Sequence, residues 1–260
     1  MSATVQMFGI KIDRLNRPEA VQRVAGWLEN EDRTCRYVVT PNVDHLVKLD
    51  GSEDFRDAYA GAAMVLADGK PVIAASKFLK APLPETVPGS DLVPWLFDHV
   101  GKVWLRPLTV YLLGAAPGVA ELAAEKIHAR WTNVLVVGVF SPPLGFEKTP
   151  EACAAICERI AQSNAELLVI GLGAPKQELW IRRHANVLPI KVALCVGATI
   201  DFLAGEKKRA PKWVQSLGLE WLHRMLSEPK RLAGRYAHDA TVFPRLLFRE
   251  WKRRRSPNLE

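Results

Sequence analysis

An apolar run that ends in glycines and opens a helix constrains this chain more than any other feature. Residues 166–170 read as a buried strand, and Gly171 and Gly173 allow a tight backbone approach behind it. Pro175 suits the first turn of a helix, where amide hydrogens are still unpaired. Such a helix start can receive a phosphate or set a polar side chain against a sugar, with Lys176 and Gln177 beside it. The same arrangement also serves as a plain strand-to-helix loop. A dinucleotide fingerprint is excluded because no third glycine follows at its spacing, and nothing matches a GxxxxGK phosphate loop.

The pattern recurs along the chain. Strands are expected at 5–12, 35–40, 109–114, 134–139 and 192–197, with helices at 17–29, 119–129, 150–161 and 178–184 between them. Strands joined by crossover helices imply an α/β fold with a predominantly parallel sheet, whose ligands collect along one rim. With 260 residues, 48% of them apolar, the chain can bury a substantial core and carry an appendage. Cys35, Cys153, Cys157 and Cys195 lie in apolar or helical contexts without metal-ligand spacing, so reduced core thiols are expected. Neither a secretory signal nor a transmembrane run is evident.

Charge divides the chain. Residues 207–260 hold 14 Lys/Arg against 5 Asp/Glu, or +9, which leaves −2 for the remainder of a chain whose net charge is +7. A basic tail of this kind points to an anionic membrane or a phosphate and away from nucleic acid. The end of the tail, with Phe248 and Trp251 beside Lys252-Arg253-Arg254-Arg255, reads as an interfacial segment. Pro229 marks a break or a new helix start, and Leu232, Tyr236, Ala240, Phe243 and Leu247 form an apolar series beyond it.

Several polar residues are delivered to the rim. Thr40 and Asn42 follow a strand and either cap the next helix or face a ligand. His45 reads as a packed helix residue. Asp68 ends the apolar run 62–67 before Gly69, placed to cap a turn or to act as a general base. A proline-dense segment, 81–91, reads as a loop or lid edge, and 114–118 and 141–146 as further rim loops.

Taken together, Thr40-Pro41-Asn42-Val43-Asp44, Ala67-Asp68-Gly69, Gly171-Leu172-Gly173-Ala174-Pro175-Lys176-Gln177-Glu178, and Gly218-Leu219-Glu220-Trp221 followed by Glu228-Pro229-Lys230-Arg231 resemble the WecG/TagA/CpsF glycosyltransferase family over almost the whole chain. The resemblance implies a Rossmann-like core, here 1–205, and a basic helical carboxyl-terminal appendage, 206–260. It implies inverting transfer without metal or cofactor, from a UDP-sugar to a polyprenyl-diphosphate-linked sugar, peripherally at the cytoplasmic face of a bacterial inner membrane. Residue by residue, Asp68 resembles the family's catalytic aspartate, and Thr40, Asn42 and Gln177 its positioning groups. Arg224, Arg231 and Arg235 resemble its donor-diphosphate arginines, with Gly171, Gly173 and Lys176 as a nucleotide or phosphate loop. Thr86 stands where many members carry an arginine, so that contact does not carry over, and Lys77 and Lys80 are the nearby cations.

The expectation is hexose transfer in extracellular-polysaccharide assembly, forming a β-1,4 linkage. Transfer of N-acetylmannosamine or its uronate is the alternative, and a nucleotide-dependent oxidoreductase or binding protein is the alternative of another class. A homo-oligomer is left open.

Overall fold

Residues along the central strands alternate between two faces, and each face finds its own helices. The computed structural model describes residues 3–207, 209–211, 214 and 220–255. Its main sheet comprises β3 (Arg36–Val39), β4 (Met64–Val65), β5 (Leu108–Gly114), β6 (Val134–Phe140), β7 (Leu167–Gly171) and β8 (Val192–Cys195). Their order is β4-β3-β8-β7-β5-β6, parallel throughout.

Val38, Val110, Leu112, Leu167, Val169 and Leu194 point to one side, among side chains of α1 (Arg17–Glu29), α5 (Gly89–Val103), α6 (Val119–Arg130) and α9 (Thr199–Ala204). Tyr37, Val39, Leu113, Leu168, Ile170 and Cys195 point to the other. There they meet α2 (Val43–Gly51), α3 (Glu53–Ala60), α7 (Pro150–Gln162) and α8 (Lys176–His184). Each fully buried aliphatic side chain in these layers contributes roughly 1.5–3 kcal/mol. The result is the Rossmann-like α/β/α sandwich expected from the crossover pattern.

The amino terminus departs from expectation. Residues 5–12 do not form one strand but a hairpin, β1 (Thr4–Met7) and β2 (Ile10–Asp13). Phe8 at φ 51° and Gly9 at φ 79° occupy the two left-handed positions that a two-residue turn between twisted strands requires.

The tail starts a new helix at Pro229, as expected. α10 (Glu220–Ser227) is followed at Pro229 by α11 (Pro229–Arg255), a single helix of 27 residues. It runs across α2, burying Leu232 and Leu246, while Phe243, Leu247 and Trp251 pack against the core and the Phe8 and Phe243 rings lie 5.8 Å apart. The basic end is therefore partly committed within the protein. Arg249 pairs with Asp50, Arg253 and Arg254 with the buried Glu250, and Arg254 also donates to the Leu79 and Gln6 carbonyls. Lys252 and Arg255 remain exposed, with the Arg255 guanidinium 4.3 Å above the Trp251 ring. Among the described residues no helix is long and apolar enough to cross a membrane.

Candidate active site

In a parallel sheet all strands deliver their carboxyl ends to one rim, and four of those ends meet here because β4, β3, β8 and β7 are neighbours. Thr40 and Asn42 leave β3. Asp68 follows β4, and its amide donates to the Pro41 carbonyl at 2.9 Å, tying the two segments together. The proline-dense segment joins the same rim through the Val87 amide, which donates to the Ala67 carbonyl at 2.8 Å.

Glycines allow the strand ends to crowd. A Cβ on Gly114 would lie 2.6 Å from the Gly171 carbonyl, and one on Gly171 would lie 2.9 Å from the Gly197 oxygen. Gly173, at φ 78°, turns the chain into α8. Gln177 closes this turn from below. Its Oε1 accepts from the Gly173 and Gly197 amides, each at 3.2 Å, and its Nε2 donates to Glu178 Oε1 at 2.8 Å. Both glycine loops thus hang on one buried amide side chain.

The other positioning candidates are also engaged. Asn42 Oδ1 accepts from the His45 amide at 3.2 Å and caps α2, as a residue of this type does before a helix. Thr40 is buried. Lys176 turns to Glu147 at 3.2 Å and lies 5.7 Å over the Phe146 ring.

Asp68 occupies the chemically distinctive position. Burial pushes its carboxyl up to about 6; Arg224 and Arg209 pull it down, and Glu220 pushes it further up. Arg224 and Glu220 belong to α10, so the appendage brings charges of both signs near the carboxylate. Arg209 pairs with Asp91 and stands 3.5 Å from Glu220, which links this cover to α5. Arg235 stands 3.7 Å from Asp44 of α2. The side chain of Arg231, and the motif residues Gly218 and Leu219, lie outside the described residues.

Beneath the rim sits a polar cluster that the sequence reading did not assign. Glu178 is fully buried, burial lifts its carboxyl to about 7, and its Oε2 has no hydrogen-bond partner among the described residues. His45 Nδ1 lies 3.9 Å from Glu178 Oε1 and 2.6 Å from the Tyr59 hydroxyl, and burial drops the imidazole to about 4. A ring so placed is neutral at pH 7 and packs as the sequence reading expects. Arg209 was also missed, because within Lys207-Lys208-Arg209 it reads as part of a charge run. Glu178 stood inside the quoted motif, where an acid after a buried glutamine was the available signal.

A partly buried carboxylate on a parallel-sheet rim, with two arginines near enough to lower its pKa, has the arrangement of a group-transfer site. The family model described as the glycosyl transferase WecG/TagA/CpsF family matches residues 5–257, and the chain belongs to that family. It is a glycosyltransferase. Among its relatives is an N-acetylglucosaminyldiphosphoundecaprenol N-acetyl-β-D-mannosaminyltransferase of Staphylococcus aureus strain MRSA252, 29% identical over 232 residues that cover 89% of this chain and 87% of the relative. The protein of the same name from strain MW2 is 28% identical over the same length.

Proposed function

We propose that this enzyme transfers an N-acetylmannosaminyl group from its uridine diphosphate to N-acetylglucosamine carried on polyprenyl diphosphate, with inversion. The observation that carries the reading is Asp68, a carboxylate lifted to about 6 on the rim and faced by Arg224 and Arg209. Its Oδ takes the proton of the acceptor hydroxyl while that oxygen bonds to the anomeric carbon and the bond to the diphosphate oxygen breaks. The leaving diphosphate carries away the electron pair, and Arg224 and Arg209 offset its charge.

Arg231 keeps the diphosphate role on family resemblance alone. Gln177 acts as a positioning residue by holding both glycine loops, and Thr40 and Asn42 set the strand end beside Asp68. Residues 206–260 serve as the appendage that completes the site, and Lys252 and Arg255 meet an anionic membrane surface.

Sequence reading favours a neutral hexose for extracellular polysaccharide, whereas the names of the relatives favour the N-acetylmannosaminyl alternative, and we adopt the latter. The test is a panel of UDP-N-acetylmannosamine, UDP-N-acetylmannosaminuronate, UDP-glucose and UDP-N-acetylglucosamine with a short-chain N-acetylglucosaminyl diphosphate, products read by mass. An N-acetylhexosamine increment formed only from the first donor is expected. A hexose or uronate increment would replace the donor assignment, and no product from any donor would reject the reading.

A further inference from the structure

Glu178 takes no part in the transfer chemistry above, yet it stands fully buried beneath the rim in the first turn of α8. An apolar side chain would fill the same position without desolvating a carboxyl. The groups that face it are Asp44, His45 and Lys48 of α2, Tyr59 of α3 and Cys195 of β8. His45 Nδ1 and the Tyr59 hydroxyl engage each other at 2.6 Å, which leaves Glu178 Oε1 to Gln177 Nε2 at 2.8 Å.

That bond bears on how Gln177 works. The two ends of a carboxamide are alike in shape and opposite in function, one accepting and the other donating. Gln177 Oε1 accepts from the Gly173 and Gly197 amides, so a rotated carboxamide would turn its own N–H groups against two others. The working orientation points the NH2 into the interior, where it needs an acceptor, and Glu178 supplies one. Without it, Gln177 satisfies its NH2 by leaving the interior for water, and the loops after β7 and β8 lose the acceptor they share. Gly173 and Gly197, both at positive φ, carry no side chains to pack in its place.

The same cluster adjoins the reacting carboxylate. Burial pushes the Tyr59 hydroxyl up and the charges of Glu178 and Asp68 add to this, which places Tyr59 within reach of both carboxyl groups.

We propose that Glu178 is a positioning residue for donor binding: it fixes the Gln177 carboxamide with its oxygen toward Gly173 and Gly197, and so sets the spacing of the two glycine loops that receive the donor diphosphate. Assignment of those loops to the donor rests on the transferase reading; the action of Glu178 through Gln177 does not.

Two variants separate positioning from mere support. Glu178→Gln keeps a carbonyl oxygen within reach of Gln177, whereas Glu178→Met keeps the length and removes the acceptor. Both should fold and melt within about 5 °C of the wild type, because losing the acceptor is offset by losing a buried carboxyl with one oxygen unpaired. Calorimetric titration with UDP should show affinity about tenfold weaker in Glu178→Met and within about twofold of the wild type in Glu178→Gln. Exchange of the Gly173 and Gly197 amide hydrogens should quicken about tenfold in the first variant and stay close to wild type in the second. Since Glu178 acts through Gln177, adding Glu178→Met to Gln177→Ala should weaken UDP binding no further.

Unchanged binding and exchange in Glu178→Met, equal losses in both Glu178 variants, or losses that add to those of Gln177→Ala would overturn the proposal. So would a Glu178→Met protein that does not fold, which would make the residue a structural support. Faster amide exchange with unaltered UDP affinity would overturn the donor assignment. A wild-type protein that binds no UDP would refute the transferase reading, and the exchange rates would still decide whether Glu178 acts through Gln177.

Discussion

Replacing Asp68 with asparagine should inactivate the enzyme and stabilise it at once. Asparagine keeps the size and one carbonyl oxygen but cannot take a proton from a hydroxyl near neutral pH. Turnover at saturating acceptor should fall about 100-fold or more, the scale of a lost general base. In the wild type, the rate should rise as pH increases through about 6, because the deprotonated form is the active one, and then level off. The variant should lack that limb.

The stability effect follows from the same carboxyl. A group held protonated to about pH 6 in the fold, instead of about pH 4 when unfolded, makes folding less favourable as pH rises across that interval. The stability is fully present below about pH 4, is lost between about 4 and 6, and stays lost above. Full burial would make the loss roughly 3 kcal/mol, and the partial exposure of Asp68 reduces it to about 1–3 kcal/mol. Asp68→Asn should regain this amount at pH 7, raising Tm by about 2–10 °C, and the gain should vanish near pH 4. Glu178 titrates in an overlapping range but is common to both proteins, so the difference cancels it. Calorimetry at the two pH values with single-turnover kinetics reads both effects. Near-normal turnover, or a Tm difference independent of pH, would refute the assignment.

Gln177→Ala removes the acceptor of two backbone amides and the donor to Glu178. Denaturant titration should show a loss of about 2–4 kcal/mol, with turnover falling alongside. Arg224→Ala takes a cation from Asp68, so the acidic limb of the rate profile should move to higher pH while affinity for UDP drops about tenfold; an unmoved limb would remove Arg224 from the site. Gly114→Ala would put a Cβ 2.6 Å from the Gly171 backbone at φ 117° and should cost about 3 kcal/mol or prevent folding, read from soluble yield and melting. Lys252→Glu with Arg255→Glu should weaken association with anionic vesicles, more so at low salt, without changing Tm. Truncation after Leu247 should lower Tm as well, since it deletes Trp251, Glu250 and Arg254.

The parallel sheet and its rim were legible because buried parallel strands are apolar runs punctuated by glycine, a signal that tolerates errors of a residue or two at each end. Asp68, Asn42 and Gln177 fell at strand or helix ends for the same reason. Their partners were not legible. That Gln177 Oε1 would bridge Gly173 and Gly197 depends on β8 lying beside β7, a neighbour relation that spacing along the chain does not encode. The hairpin was missed because Phe8-Gly9 lacks the asparagine or aspartate that announces two left-handed turn positions, and Phe8 reads as strand.

The appendage was legible as a helix with Leu232, Phe243 and Leu247 against the core, but its deepest stripe was not. An apolar count along α11 gives Leu232, Tyr236, Ala240, Phe243 and Leu247, yet Ala240 is exposed and the fully buried positions are Leu232, Asp239, Leu246 and Glu250. Those positions are seven, seven and four residues apart, the spacing of one helical face, so two of the deepest residues on the packed stripe are acids. A pattern that assumes buried means apolar must rotate the helix to avoid them. Physics requires each buried acid to be compensated, and the two differ there. Glu250 receives two arginines, which explains why the basic end of the helix folds back on the protein and is not wholly free for headgroups. Asp239 takes no hydrogen bond among the described residues and is offset only by the charges of Arg235, Lys48 and His238. The same violation of the hydrophobic pattern is therefore met in two ways on one helix: by paired guanidinium groups at Glu250, which dock the appendage, and by nearby positive charge without a hydrogen bond at Asp239.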